Sequence, residues 1–458
     1  MNSKLDIFLE AYRPIIFAVA IGLALYLLVS KIFIAPQAIL IGLVAFLVTL
    51  WTNEGLPLGV VSLLPIILFP SFGILDLNHT VPNYSKSIIF LFLGGFMLAI
   101  AIEKIKLHEY FSAKLLSFFP KTPTGIIYAL AITSALLSSI LSNTTITLLL
   151  MPIAMFLSEN LKLKIRFLLA TAYGASVGGI LTPIGTPPNL ILLGFLEDKG
   201  LETIEFGQWV YMMLPIIGVM LLIIPWLLSI GVKDESVEGI GADSIPQLDA
   251  QQKRLYFIMG ILALVLVLNT FAKQLWGFSL NEKMILLGFG LLMFIPKIGF
   301  LEWEDTRNLP YEIIFLFGAG FSIAKAFGST GLASEIAHKL SFISDMPLFW
   351  MFLLVAFVVA FSTEVTSNTA LTSIAIPIFY EFTKAKDMSP ETGMILLIVA
   401  TISASYAFML PIATPPNAII MSSRVIPISQ MAKVGFKANI IGIILVAVVA
   451  YLLWDKML

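Results

Sequence analysis

The sequence contains no cysteine and few charged residues. None of its 458 residues is cysteine, which excludes disulfides, thiolate metal sites and cysteine nucleophiles. Charged side chains make up 12% of the chain, whereas soluble domains contain roughly 25%. With 27 basic and 28 acidic residues the net charge is −1, so no overall field favours nucleic acid or an acidic partner. Apolar residues therefore dominate the chain.

Those apolar residues occur in long runs from one end of the sequence to the other. They make up 59% of the chain, and the mean hydropathy is +0.98. A transmembrane helix needs about 20 consecutive apolar residues, and runs near that length recur. The N-terminal stretch MNSKLDIFLEAYRP lacks the pattern of a cleaved signal peptide, so the first run is predicted to be retained. We predict an all-α polytopic membrane protein.

The runs predict about eleven crossings, one followed by five in each half of the chain. Uninterrupted spans are predicted at 13–32, 37–51, 57–70, 87–103, 208–230, 254–272, 281–299, 310–328 and 435–454. Two amphipathic stretches, Glu103–Lys121 and Gly331–Ser344, have the spacing of helices that lie in the membrane interface. Each half therefore combines spans with interfacial segments.

Two apolar segments are interrupted by the same tripeptide, Ser-Asn-Thr. The first tripeptide, Ser142–Thr144, divides segment 124–158, and the second tripeptide, Ser367–Thr369, divides segment 346–384. The arms of the first segment are about sixteen residues long, short of the ~20 needed for a crossing. Each segment is therefore predicted to form a re-entrant helical hairpin with the tripeptide at its tip.

Proline interrupts a second pair of segments. Segment 165–195 contains TPIGTPPN and segment 392–422 contains LPIATPPN. Proline lacks an amide donor and clashes with the preceding turn, so both segments are predicted to be discontinuous helices. Small polar and helix-breaking residues are costly within apolar segments unless they line a site.

These features form an internal repeat. Ile88–Phe96 matches Ile313–Phe321 at an offset of 225 residues, the tripeptides match at the same offset, and the TPPN motifs match at 228. An odd number of crossings per repeat makes the second copy enter the membrane from the opposite side. Such inverted repeats are typical of secondary transporters, whose sites lie near the middle of the bilayer.

The repeat also predicts domain boundaries and an orientation. The chain divides into N-terminal spans at 1–86, a first repeat core at 87–230, a polar cytoplasmic linker at 231–252 and a second repeat at 253–458. With the N-terminus in the cytoplasm, 17 of the 27 basic residues lie on the inner side. We therefore expect a multi-pass cell-membrane protein with a cytoplasmic N-terminus.

The tripeptides and breaks offer neutral polar groups. Amides come from Asn143 and Asn368, and hydroxyls come from Ser142, Thr144, Ser367 and Thr369. Helix breaks expose N–H groups that favour carboxylates, and unwound carbonyls near Gly185 and Ala413 suit Na⁺. No Lys or Arg lies within these motifs. A small dicarboxylate held by neutral donors, with co-bound cations offsetting its charge, fits this set.

The alternative is a purely structural role, with polar side chains bridging helices and prolines only kinking them. Two matched pairs in register favour a site.

Paired SNT motifs that are each followed by a TPPN-type break resemble the divalent anion/sodium symporter family, which includes bacterial INDY-type dicarboxylate transporters. The resemblance extends from about Ile88 to the C-terminus. It implies a homodimer in the bacterial cytoplasmic membrane. It also implies an elevator mechanism, in which a transport domain moves against a scaffold domain that includes most of residues 1–86. The implied substrates are C4-dicarboxylates such as succinate, malate and fumarate, carried with several Na⁺ and without an organic cofactor.

The resemblance also implies roles for individual residues. Substrate carboxylates would be bound by the two tripeptides, chiefly through Asn143, Thr144, Ser367, Asn368 and Thr369. The walls of the pocket would be shaped by Thr186, Pro187, Thr414 and Pro415. One Na⁺ site would use Ser138, Ser142, Asn143 and the Gly185 backbone, and its counterpart would use Thr363, Thr366, Asn368 and the Ala413 backbone. Thr145 departs from the expected alanine and adds a hydroxyl near the first tip.

Several alternatives remain open at the level of sequence. A Na⁺-independent anion exchanger of the same family would use a similar ligand set. An intramembrane enzyme would need a nucleophile–base pair or metal cluster that the apolar segments lack, and a channel would need a continuous polar path. Glu364 either joins a cation site or caps a hairpin arm. Lys325 either screens the anion or extends to the membrane surface.

Overall fold

The computed structural model describes residues 4–53, 55–232, 247–276, 280–340 and 346–458. Most of the predicted linker, at 233–246, and the end of the second amphipathic stretch lie outside the described residues. Within the described ranges all regular secondary structure is helical. This confirms the all-α fold class.

The first ten α-helices lie between residues 4 and 198 of the described chain. They are α1 (Lys4–Val29), α2 (Ala35–Asn53), α3 (Leu58–Ser71), α4 (Leu77–Thr80), α5 (Ser87–Lys104), α6 (Leu107–Ser117), α7 (Pro123–Ser138), α8 (Asn143–Phe156), α9 (Leu161–Gly178) and α10 (Pro187–Asp198). The hairpin predicted at 124–158 corresponds to α7 and α8. The discontinuous helix predicted at 165–195 corresponds to α9 and α10.

Ten further α-helices follow in the described ranges. They are α11 (Phe206–Ser229), α12 (Ala250–Trp276), α13 (Glu282–Leu292), α14 (Tyr311–Ser329), α15 (Leu332–Lys339), α16 (Leu348–Thr363), α17 (Asn368–Ala385), α18 (Pro390–Ala404), α19 (Pro415–Ser422) and α20 (Ile428–Leu452). The second hairpin consists of α16 and α17, and the second discontinuous helix consists of α18 and α19. Both helix breaks therefore occur in the segments where proline predicted them.

Local sequence signals explain where several of these helices begin. The Thr122 hydroxyl accepts from the Gly125 amide before α7, and Pro123 occupies the first helical position. The Ser389 hydroxyl accepts from the Thr392 amide before α18, where Pro390 is the first residue. Proline is tolerated at this position because the first amide of a helix has no intrahelical acceptor.

Seven helical segments in the described part of the chain are long and apolar enough to cross a membrane. They lie at Tyr12–Val29, Ala35–Asn53, Leu77–Lys104, Phe206–Ser229, Ala250–Asn269, Tyr311–Ser329 and Ile428–Leu452. Shorter apolar helices include the hairpin arms and α18. These lengths and compositions support a polytopic membrane protein, whereas the count of eleven crossings stays a prediction.

The span predicted at 281–299 is shorter than expected, because α13 ends at Leu292. The chain then folds back on itself. The amides of Phe300 and Leu301 both donate to the Met293 carbonyl, at 2.7 and 2.8 Å. Gly299 permits this turn because a Cβ there would lie 2.0 Å from the same carbonyl oxygen. The apolar run thus continues as a compact turn rather than as a helix.

The first helices of the two repeats, α5 and α14, pack against each other in opposite directions. At one end Lys104 Nζ lies 2.6 Å from Asp305 Oδ2, just before α14 begins. In the middle the rings of Phe92 and Phe317 are 4.3 Å apart. At the other end the Lys86 ammonium lies 4.8 Å from the centre of the Phe321 ring. Equivalent helices of the two repeats are therefore antiparallel here.

In each repeat the second half-helix also packs against the hairpin of the other repeat. Helix α10 of the first repeat contacts α17, the second arm of the other hairpin, and α19 of the second repeat contacts α8. The Phe195 and Tyr380 rings, 5.2 Å apart, belong to the first of these contacts. Most buried apolar residues form one continuous core, whereas helices α1–α3 share a smaller core with α14 and α15. The crossed contacts bring the two hairpin tips together.

Candidate functional site

Each tripeptide lies where one hairpin arm ends and the next begins. The first arm ends at Ser138, and Ser142 precedes the first residue of α8 in an extended conformation. In the second hairpin the arm ends at Thr363, and Ser367 takes the same place before α17. The asparagines are therefore the first helical residues after each tip.

Both tips line a single cavity of about 260 Å³. Its polar lining comprises Ser142, Asn143, Thr144, Ser176, Thr186, Ser367, Asn368, Thr369, Ser405 and Thr414. The two breaks add Gly185, Pro187, Pro188, Ala413 and Pro415, and apolar side chains from α5 and α14 complete the wall. No charged residue occurs among the described residues that form this lining. Two distant parts of the sequence thus meet in one uncharged cavity.

The two asparagines are held in the same way. Asn143 Oδ1 accepts from the Ser138 hydroxyl at 2.5 Å, and Asn368 Oδ1 accepts from the Thr363 hydroxyl at 2.5 Å. Within the described ranges neither Nδ2 group donates to a protein acceptor. Each tip therefore offers amide donors to a ligand, as an anion requires.

The breaks are also held by matched asparagines. Asn189 Nδ2 donates to the carbonyls of Gly179 (3.2 Å) and Thr182 (2.9 Å) across the first break. Asn417 Nδ2 makes the corresponding bonds across the second break, each of 3.0 Å. Both residues are fully buried. The asparagine of each TPPN motif, for which the sequence predicted no role, thus fixes the shape of its unwound segment.

Half-helices begin on both sides of the cavity. Helices α8 and α17 begin at the tripeptides, and α10 and α19 begin at Pro187 and Pro415. The first amides of a helix carry partial positive charge and favour anions. The cavity therefore combines neutral donors with the positive ends of four helices, whereas α9 and α18 reach it by their C-terminal ends.

The hydroxyl groups of the two tips differ in their hydrogen bonds. The Ser142 hydroxyl donates to Thr145 Oγ1 at 2.9 Å and accepts from the Thr145 amide at 3.1 Å. Ser367 makes no such cap, and its hydroxyl has no hydrogen-bond partner among the described residues. The extra hydroxyl of Thr145 is therefore used inside the first tip, whereas Ser367 is available to a ligand.

The Glu364 side chain does not bind the end of its own hairpin arm. Its carboxylate accepts from the backbone amides of Phe408 (2.8 Å), Met409 (2.9 Å) and Leu410 (2.9 Å). It also accepts from Asn439 Nδ2 at 2.7 Å, and the residue is 3% exposed. Glu364 thus ties the second hairpin to the second break and to α20.

The remaining predicted residues lie around the cavity at different depths. Ser138 and Thr363 are fully buried behind the asparagines that they contact. Thr366 is not part of the lining, and its hydroxyl donates to the Ser362 carbonyl of its own hairpin arm at 2.8 Å. Lys325 lies on α14 outside the cavity, which leaves its extension to the membrane surface as the simpler interpretation.

Sequence reasoning missed Ser176 and Ser405. Both line the cavity, are 2% and 3% exposed, and have hydroxyls without a hydrogen-bond partner in the described structure. Each lies next to a break rather than within a motif. Serines are common in helices of this kind, and these two are distinguished only by a hydroxyl that both lacks a hydrogen-bond partner and lines the cavity.

Comparison with known proteins places this cavity in a transporter. A family model described as citrate transporter matches residues 43–398, more than half of the chain. The chain belongs to the citrate transporter family. This confirms the resemblance to the divalent anion/sodium symporters, and with it the prediction of a transporter rather than an enzyme.

Individual relatives support the family assignment. The sodium-dependent dicarboxylate transporter SdcS of Staphylococcus saprophyticus is 29% identical over 441 residues, which cover 89% of this chain and 84% of that protein. SdcS of Staphylococcus aureus strain USA300 is 29% identical over 467 residues, covering 93% of this chain and 89% of that protein. The similarity therefore includes both repeats.

Two solved transporters share the fold. The YdaH transporter of Alcanivorax borkumensis superposes with a TM-score of 0.58 at 14% identity, covering 91% of this chain and 97% of that one. MtrF of Neisseria gonorrhoeae gives 0.59 at 14% identity, covering 82% and 83%. At this identity the likeness concerns the fold alone.

Proposed function

We propose that the protein imports C4-dicarboxylates such as succinate, malate and fumarate together with Na⁺. The observation that carries this proposal is the convergence of both tripeptides on one cavity whose described lining has donors but no charge. A dianion bound only by neutral groups needs cations nearby to offset its charge. Substrate and cation then raise each other's affinity, which is the thermodynamic basis of coupling.

The substrate carboxylates would meet donors from both tips. Unpaired amide groups of Asn143 and Asn368 are supported by the bonds that hold their oxygens, and the Ser367 hydroxyl is available in the cavity. Thr144 and Thr369 add hydroxyls, and Ser142 contributes mainly by shaping the first tip. Thr186-Pro187 and Thr414-Pro415 would form opposite walls. The names of the SdcS relatives support dicarboxylates as the substrate class.

The cations would bind where oxygen atoms gather behind each tip. Ser138, Ser142, Asn143 and the Gly185 carbonyl form one proposed set, and Thr363, Thr366, Asn368 and the Ala413 carbonyl form the other. Hydroxyl, amide and carbonyl oxygens are suitable ligands for hard cations, and unwound helix segments bind Na⁺ in secondary transporters. The sodium dependence stated in the relatives' names supports this proposal.

An elevator-type mechanism with inverted repeats would move these groups across the membrane. The antiparallel packing of α5 and α14 supports the inversion. Because α10 packs on α17 and α19 on α8, the hairpins and half-helices would move as one transport domain. Residues 1–86 would belong mainly to the scaffold of a homodimer in the bacterial cytoplasmic membrane, with the N-terminus and the 231–252 linker in the cytoplasm.

Proteoliposomes in which the Na⁺ gradient and the internal substrate are varied independently test this function. The proposal predicts uptake of labelled succinate into empty vesicles when Na⁺ is higher outside, and little uptake with choline. Uptake that requires internal dicarboxylate and does not depend on the Na⁺ gradient would identify an exchanger instead. Ion currents that continue without bound substrate would indicate a channel.

A further inference from the structure

The Ser405 hydroxyl has no hydrogen-bond partner among the residues that the structure describes. The residue follows the last residue of α18, lines the cavity and is 3% exposed. No described group donates to or accepts from its hydroxyl. A buried hydroxyl that lacks a partner is unfavourable, and native proteins rarely keep one unless a ligand meets it.

The groups beside Ser405 include more hydrogen-bond acceptors than donors. The preceding carbonyl, that of Ala404, lies 2.9 Å from the Thr363 hydroxyl, and the same hydroxyl lies 2.5 Å from Asn368 Oδ1. Thr363 has a single proton for these two acceptors. The cluster therefore has lone pairs in excess, which is the environment that a cation stabilises.

The helix end adds to this preference. Ser405 lies at the C-terminus of α18, where unpaired carbonyls carry partial negative charge. The nearby amides that would oppose a cation donate elsewhere, since those of Phe408, Met409 and Leu410 bind Glu364. C-terminal ends of half-helices coordinate cations in transporters with broken helices.

The first repeat lacks this hydroxyl. At the offset of 228 residues, Ser405 corresponds to Val177, whose side chain has no oxygen. Ser176 is next to it but lies within α9, which continues to Gly178. The two cation sites would therefore have different ligand sets, although the tripeptides are identical.

We propose that the Ser405 hydroxyl is a ligand of the Na⁺ bound in the second repeat, in place of the Thr366 hydroxyl. Thr366 is less suitable because its hydroxyl donates to the Ser362 carbonyl and the residue does not line the cavity. This inference rests on the proposed Na⁺ coupling. It adds a ligand that neither the tripeptide nor the TPPN motif contains.

Thermal unfolding of the purified full-length protein in detergent tests the assignment without transport. The melting temperature is measured as NaCl replaces choline chloride at constant ionic strength, for wild type, Ser405→Ala and Ser403→Ala. Ser403 is a matched control, because it lies on α18, is fully buried and has an unpartnered hydroxyl, but does not line the cavity.

Ser405→Ala is expected to raise the Na⁺ concentration for half of the stabilisation by at least about tenfold, as lost metal-site contacts typically do. Ser403→Ala should leave it within about twofold, because by this assignment it contacts no cation. Without Na⁺, Ser405→Ala should melt at or above the wild-type temperature, because it removes a buried hydroxyl that had no partner. A merely structural serine would lower the melting temperature in both salts.

The outcomes separate this inference from the function on which it rests. A Na⁺ response in wild type with an unchanged midpoint in Ser405→Ala would overturn the ligand assignment and leave the coupling intact. A wild type that responds equally to Na⁺ and choline would overturn both. If Ser405→Ala does not fold, Ser405→Cys gives the same discrimination, since its side chain has the same shape but its sulfur binds hard cations poorly.

Discussion

In the first repeat the break meets its hairpin through a hydroxyl and close backbone packing, whereas in the second repeat a buried carboxylate joins the two. Thr182 Oγ1 donates to the Ser139 carbonyl at 2.5 Å, and Gly178 lets α9 approach α7 so closely that a Cβ there would lie 2.0 Å from the Ala135 oxygen. In the second repeat Glu364 accepts from three amides of the break. Position 364 corresponds to Ser139 at the repeat offset.

The parts that face the cavity are more alike than the parts that support it. Both asparagine oxygens accept a hydroxyl at 2.5 Å, and both TPPN asparagines bridge their breaks. Supporting contacts, by contrast, are built from different residues in each repeat. The asparagine contacts are thus the same in both repeats, whereas different residues hold them in place.

The largest effects are expected where the two repeats are identical. Asn143→Ala and Asn368→Ala should each lower succinate uptake at low substrate concentration by about 10- to 150-fold, because a hydrogen bond to a charged group contributes about 1.5–3 kcal/mol. Initial rates in proteoliposomes measure the effect. Size-exclusion profiles like those of wild type would show that the fold is retained. Nearly full activity in either variant would remove that tip from the site.

Glu364→Gln and Ser139→Ala compare how strongly the second and the first break are held by their hairpins. The amide that replaces the carboxylate brings a donor towards backbone donors, so we expect a loss of about 2 kcal/mol in stability, seen as a lower melting temperature. Ser139→Ala should cost less, about 1 kcal/mol, because it keeps the carbonyl that Thr182 contacts and loses only the bond from the Ser139 hydroxyl to the Leu136 carbonyl. Equal melting temperatures for the two variants would show that Glu364 does not stabilise the second break.

The serines of the two tips should differ in what they change. Ser367→Ala should raise the substrate concentration for half-maximal binding by about 2- to 12-fold, the effect of a neutral hydrogen bond of about 0.5–1.5 kcal/mol. Ser142→Ala should lower the melting temperature instead, because it removes a helix cap of about 1 kcal/mol. Titration of the purified variants with labelled succinate distinguishes them. The reverse pattern would mean that Ser142, not Ser367, meets the substrate.

A small difference between the breaks gives the mildest test. A Cβ added at Gly179 would lie 2.8 Å from Asn143 Oδ1, so Gly179→Ala should displace this amide by a few tenths of an ångström. We expect a two- to threefold lower uptake, since about 0.5 kcal/mol changes a rate by roughly this factor. Ala407 already has a Cβ at the equivalent place, and Ala407→Gly is the control. Unchanged uptake in Gly179→Ala would show that the first tip tolerates this crowding.

The sequence predicted the features that repeat and that alter a local pattern. Helical periodicity gave most helices, proline gave both breaks, and the duplicated tripeptide indicated one site from two halves. It failed where long-range contacts decide the structure. The end of α13 depends on a turn around Met293, and the backbone partners of Glu364 lie 44 to 46 residues further along the chain. The sequence also could not predict which groups a hydroxyl binds. The Thr366 hydroxyl donates to the Ser362 carbonyl of its own hairpin arm, and the Ser405 hydroxyl has no partner in the described structure.

The central claim is that the two tripeptides form one dicarboxylate site whose affinity depends on Na⁺. Equilibrium binding of labelled succinate to the purified protein, with Na⁺ exchanged for choline, measures this most directly. The predicted result is one site per chain, with tight binding only in Na⁺ and loss of binding in both Asn143→Ala and Asn368→Ala. Binding of equal strength in choline, or binding that survives either substitution, would contradict it.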